Sequence, residues 1–139
     1  MLPHDYRISI DAAEVQTEAV HHFLCYESYW HKGVAREVVA RAIANSVVVS
    51  LFYKEQQVGF ARAATDRTII AYLCDVYVLP EHRGKGLAKA MLKALLTHPE
   101  LTTIYRWMLR TTDAHGLYKQ VGFRSLELTE SFMERVKST

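Results

Sequence analysis

Arg83-Gly84-Lys85-Gly86 is the stretch of this 139-residue chain whose residue types and spacing most directly imply chemistry. Glycines at positions 84 and 86 take side chains away where a backbone has to come close to a ligand. Beyond them Leu87, Ala90, Met91, Ala94 and Leu95 recur at helical spacing. The loop therefore opens a helix whose first amides lack partners and carry the positive end of the helix dipole. An anionic group belongs at such a place, and Arg83 and Lys85 add two cations. Two familiar phosphate loops do not fit. The dinucleotide fingerprint wants a third glycine where Lys89 stands, and the nucleoside-triphosphate loop wants Gly-Lys-Ser/Thr at longer spacing. A plain tight turn between strand and helix is the alternative.

Asp75 is the second unusual residue, the only charge in the otherwise apolar run 69–79. A lone carboxylate there is either desolvated or open to a cleft. Burial would raise its pKa toward the range of a base that takes a proton from a substrate, directly or through water. The other reading is a salt bridge to an arginine such as Arg62, Arg106 or Arg110. The third feature is the connection 26–33, where Tyr26, Tyr29, Trp30 and His31 crowd a segment that a plain linker would fill with small polar residues. These rings are expected to form one wall of a substrate site, stacking on an apolar group or holding a cation over a π face. Packing into the core is the alternative for Trp30. No metal site is expected, because seven His and two Cys are scattered and the only helical i,i+4 pair is His21 with Cys25.

Regular elements must hold these residues in place. Residues 6–10 alternate as a short strand, and Asp11 can cap a helix over 12–25. A second helix spans 35–44 and is closed by Asn45. Residues 47–53 and 58–64 form a hairpin about the turn 54–57. The run 69–79 reads as the central strand, covered on both faces. The helix after the glycine loop stops at His98-Pro99, a strand follows over 103–110, and a short helix runs over 113–120. Gly122 ends that helix before a last strand over 123–128. Strands outnumber helices and the two are mixed, so the class is α/β or α+β, a twisted sheet covered by helices.

Composition excludes several classes. With 17 Lys+Arg against 15 Asp+Glu, spread evenly, nucleic acid is not an expected partner. No apolar run approaches 18 residues and the start lacks the pattern of a signal peptide, so neither a membrane span nor a leader is expected. Two cysteines in apolar, tyrosine-rich stretches read as buried thiols and imply a reducing, cytoplasmic setting. The length suits a single domain, 1–139.

The segment Val78-Leu79-Pro80-Glu81-His82-Arg83-Gly84-Lys85-Gly86-Leu87-Ala88 resembles the acetyl-CoA loop of the GNAT superfamily of N-acetyltransferases. Leu117-Tyr118-Lys119-Gln120-Val121-Gly122-Phe123 is similar to that family's second hallmark, and the two stand in the expected order, a helix and a strand apart. The resemblance implies a mixed sheet of about six to seven strands flanked by about four helices. It implies acetyl-CoA as donor, and a small-molecule or peptide amine as acceptor. It further implies that the backbone of Val78 and Pro80 pairs with the pantetheine arm, and that Arg83, Gly84, Lys85, Gly86, Leu87 and Ala88 hold the pyrophosphate. Tyr118 would protonate the departing thiolate, or else simply pack against Phe123. Many members carry an asparagine seven residues before this tyrosine, where Thr111 stands here. Thr111 or Asp113 could take over its cofactor contact, with a helix N-cap as the alternative for Asp113. A CoA-binding sensor without turnover and a protein-interaction module are the competing functions. The acceptor's identity and the oligomeric state are not encoded in these motifs.

Overall fold

In the computed structural model, which describes residues 2–138, the chain runs β1 (Tyr6–Ser9), α1 (Thr17–His22), α2 (Arg36–Ala44), β2 (Val47–Tyr53), β3 (Gln56–Thr65), β4 (Ile70–Val78), α3 (Leu87–Leu96), β5 (Arg106–Met108) and α4 (His115–Lys119). Met1 and Thr139, the ends of the expected domain 1–139, lie outside the described residues. One sheet holds the strands in the order β1-β2-β3-β4-β5, antiparallel throughout except for the parallel pair β4 and β5. Residues 47–53, rich in β-branched and aromatic side chains, make a strand that is buried along nearly its whole length. Among the described residues no helix is long and apolar enough to cross a membrane.

The sheet is covered on two faces. On one, Leu87, Met91, Leu92 and Leu95 of α3 pack with Val49, Leu51, Ala61, Ala63, Ala71 and Leu73. Each leucine, valine or methionine removed from water there contributes about 1.5–3 kcal/mol before ordering costs. On the other, Val20, Phe23 and Leu24 meet Val39 and Ile43 of α2 over Val48, Phe60 and Tyr77. The Phe23 and Tyr77 rings stack there at 3.8 Å and 7°.

The mixed α/β class stands, with four helices, but the sheet has five strands among the described residues rather than six or seven. Residues 123–128 run without a ladder partner, so the expected last strand is absent. The strand expected over 103–110 is cut to Arg106–Met108 because β4 accompanies it only that far. The helix expected over 12–25 is broken. Asp11 caps a single turn at Ala12–Glu14, its carboxylate accepting from Ala13 N at 2.9 Å. Gln16 then turns away to exchange hydrogen bonds with Gln57 and Glu55 of the β2–β3 hairpin. α1 follows and widens into a π turn at Phe23–Glu27. Strand β4 is covered on both faces only in its second half, since Ile70 and Tyr72 are exposed. It is the fourth strand of five rather than the middle one. Cys25 and Cys74 are free and half-buried rather than buried.

Candidate active site

Strands β4 and β5 pair only where Ile70, Ala71 and Tyr72 lie opposite Arg106, Trp107 and Met108, and then part. Beyond that point β4 is irregular on its other side as well. Phe60 opposes Tyr77 and Arg62 opposes Cys74, so Asp75 and Val76 together face Ala61 across a β-bulge. Asp75 takes a left-handed backbone, φ 54°, which aspartate tolerates better than most residues. The extra residue shifts the alternation of β4 and turns the Asp75 side chain onto the face that carries α1 and α2.

That side chain is 4% exposed and fully engaged. Arg62 Nε donates to Oδ2 at 2.6 Å and Trp30 Nε1 donates to Oδ1 at 2.8 Å. His31 Nε2 lies 3.6 Å from the same Oδ1. Of the arginines considered from sequence, Arg62 is the partner, and it also donates to Ser46 Oγ at 3.1 Å. A cavity of about 80 Å³ adjoins this cluster, with His31, Arg62 and Asp75 at its polar end and Val34, Val38 and Ala42 among its apolar walls.

The connection between α1 and α2 bridges the parted strands. Trp30 and His31 reach β4 through Asp75, while the Tyr29 hydroxyl hydrogen-bonds Thr112 Oγ1 at 2.9 Å beyond β5. Tyr29 and Trp30 meet edge to face at 5.0 Å. Tyr26 does not join them. It lies on the π turn against His22, with ring centroids 5.1 Å apart, and is 66% exposed.

At the far end of β4 the glycine loop has the geometry its sequence requires. Pro80–His82 forms a single 3₁₀ turn, Gly84 and Gly86 take φ of 80° and 74°, and Gly86 is the N-cap of α3, with no side chain to satisfy the helix amides. The Tyr6 hydroxyl and His82 Nδ1, hydrogen-bonded at 2.5 Å, tie the turn to the first strand. Arg83 turns back, its Nε donating to the Val78 carbonyl at 2.8 Å. That carbonyl, implied to face the pantetheine arm, is therefore engaged, and Arg83 and Lys85 are both exposed.

Tyr118 sits on α4, edge-on to Phe123 at 5.9 Å and 74°. Burial, then the neighbouring Tyr29 and Asp113, push its phenol up to about 12, so it holds its proton throughout the physiological range. Asp113 is not a helix cap. The N-cap is Ala114, and it is Thr111 Oγ1 that accepts from Ala114 N at 3.1 Å to set up α4. The structure therefore gathers Asp75, Tyr29, Trp30 and His31 in one cluster, with Tyr118 beyond Tyr29 and the glycine loop at the end of β4. Thr112, Tyr6 and His82 were not singled out from sequence. His82 borders the loop, but its partner lies 76 positions away and leaves no local signal.

A family model described as an acetyltransferase (GNAT) domain matches residues 44–125. A crystal structure from Xanthomonas campestris pv. campestris, described as belonging to the GNAT family, superposes with a TM-score of 0.92 at 39% identity, covering 99% of this chain and 96% of the other. FG08082 of Gibberella zeae, an acetyltransferase by name, is 31% identical over 86% of this chain and 80% of its own length. A Clostridium acetobutylicum acetyltransferase structure containing acetyl-CoA shares the fold, with a TM-score of 0.70 at 18% identity and 94% of each chain covered.

Proposed function

Because the chain belongs to the GNAT acetyltransferase family, whose members take their acyl group from acetyl-CoA, we propose that it transfers acetyl from acetyl-CoA to an amine by direct attack in a ternary complex. The observation that carries this reading is the parting of β4 from β5 beside the glycine loop. The gap gives an extended donor a strand edge to lie along, with α3's amides and Lys85 at the end where a pyrophosphate would need them. Tyr118 and the Tyr29–His31 segment stand toward the other end, where the thioester and the amine would meet.

The amine nitrogen attacks the thioester carbonyl and the new C–N bond forms. A backbone N–H near Val78 supports the oxyanion, and the C–S bond then breaks. The departing sulfur accepts a hydrogen bond from the Tyr118 hydroxyl and leaves as the thiolate. The ammonium proton passes to the Asp75–His31 pair, of which His31 is the member open to the cleft. A thiol titrates near 8.5. A phenol held near 12 therefore supports the developing thiolate chiefly as a hydrogen-bond donor. Tyr118→Phe is expected to lower kcat by about 10²-fold, the low end for a general acid, with the acetyl-CoA dissociation constant within twofold of wild type. Single-turnover kinetics and titration calorimetry measure the two, and unchanged chemistry would return Tyr118 to a packing role.

Thiol release from acetyl-CoA, assayed against small amines, amino acids, polyamines, aminoglycosides and peptide N-termini, tests the activity. Acetylated product identified by mass supports it, whereas tight acetyl-CoA binding without release from any acceptor replaces it with a sensor. Tyr29→Ala and Trp30→Ala should raise the acceptor KM by about 2- to 30-fold, the scale of one cation–π contact, and spare acetyl-CoA binding. Equal losses in both constants would assign these rings to the core.

A further inference from the structure

Protein interiors are packed as densely as organic crystals, and voids larger than a water molecule are few. The cavity of about 80 Å³ beside Asp75 is one of them. Val20 and Leu24 of α1, Val39 and Ile43 of α2, and Phe60 of β3 wall it, and each is at most 8% exposed. Its polar lining is the trio already in contact with one another, Asp75, Arg62 and His31. Of these three side chains His31 is the accessible one, 43% exposed against 14% for Arg62 and 4% for Asp75. A molecule entering from the cleft therefore passes His31 and places its far end between α1 and α2.

The lining selects what that far end can be. Arg62 and Asp75 neutralise each other at 2.6 Å, so neither offers a free charge to an ion in the cavity. A second ammonium, as in a diamine or polyamine, would lose its hydration there without a counterion. The hydroxyls of an aminosugar would lose theirs against valine, leucine and phenylalanine. A carboxylate on the carbon that bears the amine would come up against Asp75, whose arginine is already engaged. An uncharged alkyl group meets none of these penalties. An apolar cavity of about 150 Å³ holds a benzene ring, so this one has room for roughly half as much, three or four carbons.

On the reading that the chain acetylates an amine at this site, on which this inference rests, we propose that the acceptor is a primary monoamine with a compact aliphatic group of three or four carbons. The alkyl part fills the cavity between α1 and α2, and the nitrogen lies at His31. That nitrogen bonds to the acetyl carbon as the C–S bond breaks. Its surplus proton goes to the Asp75–His31 pair, CoA leaves as the thiolate, and the product is a neutral N-alkylacetamide. Each methylene that enters the cavity strengthens the transition-state complex about fourfold.

Acetylation of methylamine, ethylamine, isopropylamine, isobutylamine, benzylamine, 1,4-diaminobutane and L-valine tests the assignment. Between methylamine and isobutylamine kcat/KM should climb by roughly 60-fold, three methylene steps. It should fall at least tenfold below isobutylamine for benzylamine, for the diamine and for valine, which is isobutylamine with a carboxylate. Ala42→Leu fills the cavity from α2 and should bring isobutylamine down to the level of methylamine. Val34→Ala makes the opposite change at a half-buried position and should move the optimum to a five-carbon amine. Methyl NMR reads occupancy without turnover. Isobutylamine should shift the Val20 and Val39 methyls of the wild type and neither in Ala42→Leu. Turnover indifferent to alkyl size, or greatest with the diamine or valine, overturns the proposal and leaves acetyl transfer to amines intact. Shifted valine methyls with no amine acetylated overturn acetyl transfer and leave the cavity its ligand class. Methyls that isobutylamine does not move overturn the cavity as its site.

Discussion

A Gly86→Val protein is expected to keep its fold and lose acetyl-CoA binding by at least about a hundredfold, measured by titration calorimetry. Gly86 sits at φ 74°, and a Cβ added there would meet no protein atom within 4 Å. The substitution therefore creates no clash inside the protein. Its cost comes from two other sources. A β-branched residue resists the left-handed conformation by about 1–2 kcal/mol, which pulls the loop and the first amides of α3 out of line. The side chain also projects into the open space that the backbone must present to a pyrophosphate. Gly33→Val separates these effects, since Gly33 has φ 80° and similarly open surroundings but lies in the connection between α1 and α2. It should lose comparable stability and retain acetyl-CoA binding. Equal binding by folded Gly86→Val and wild type would remove the glycine loop from the donor site.

The second large effect concerns Asp75. Asparagine accepts a left-handed backbone as readily as aspartate, so Asp75→Asn preserves the bulge and removes the charge alone. It leaves the Arg62 guanidinium, 14% exposed, without its counterion. Breaking one side of a buried ion pair costs about 3–5 kcal/mol. In a chain of this size that corresponds to a fall in Tm of roughly 10–15 °C. Arg62→Met should be similarly damaging because it strands the carboxylate. The double variant should recover most of the loss, because neither charge is then left alone. Calorimetric melting of the four proteins closes the cycle, and simple additivity of the two single losses would show that the pair is not the source.

These two residues also mark where local sequence stops being informative. The glycine loop was legible because everything it needs is contiguous. An apolar run enters it, two glycines permit positive φ at 84 and 86, and a helical stripe leaves it. Similarly, the hairpin of β2 and β3, the helix over 36–44 and the amphipathic stripe of α3 follow from short-range periodicity, and they emerged within a few residues of expectation. Asp75 was recognisable as an anomaly from its neighbours alone, but its partner was not. Arg62, Arg106 and Arg110 are equivalent in the sequence, and it is the bulge between β3 and β4 that puts Arg62 2.6 Å from the carboxylate.

The aromatic connection shows the same division. Its composition set it apart from a plain linker, yet only packing separates Tyr29, Trp30 and His31, which span the gap between β4 and β5, from Tyr26, which the π turn carries round to His22. The segment 123–128 marks the limit most clearly. Its strand-like residues expressed a local preference, but a strand exists only where another edge pairs with it, and residues 123–126 share a groove with β5 rather than a ladder. Short-range periodicity and backbone freedom, which act within a few residues, therefore determined the β2–β3 hairpin, α2, α3, the glycine loop and the motifs that mark the family of this protein. Pairing across the sheet, the bulge at Asp75 and the choice among equivalent partners depend on contacts between residues tens of positions apart, and those only the tertiary structure decided.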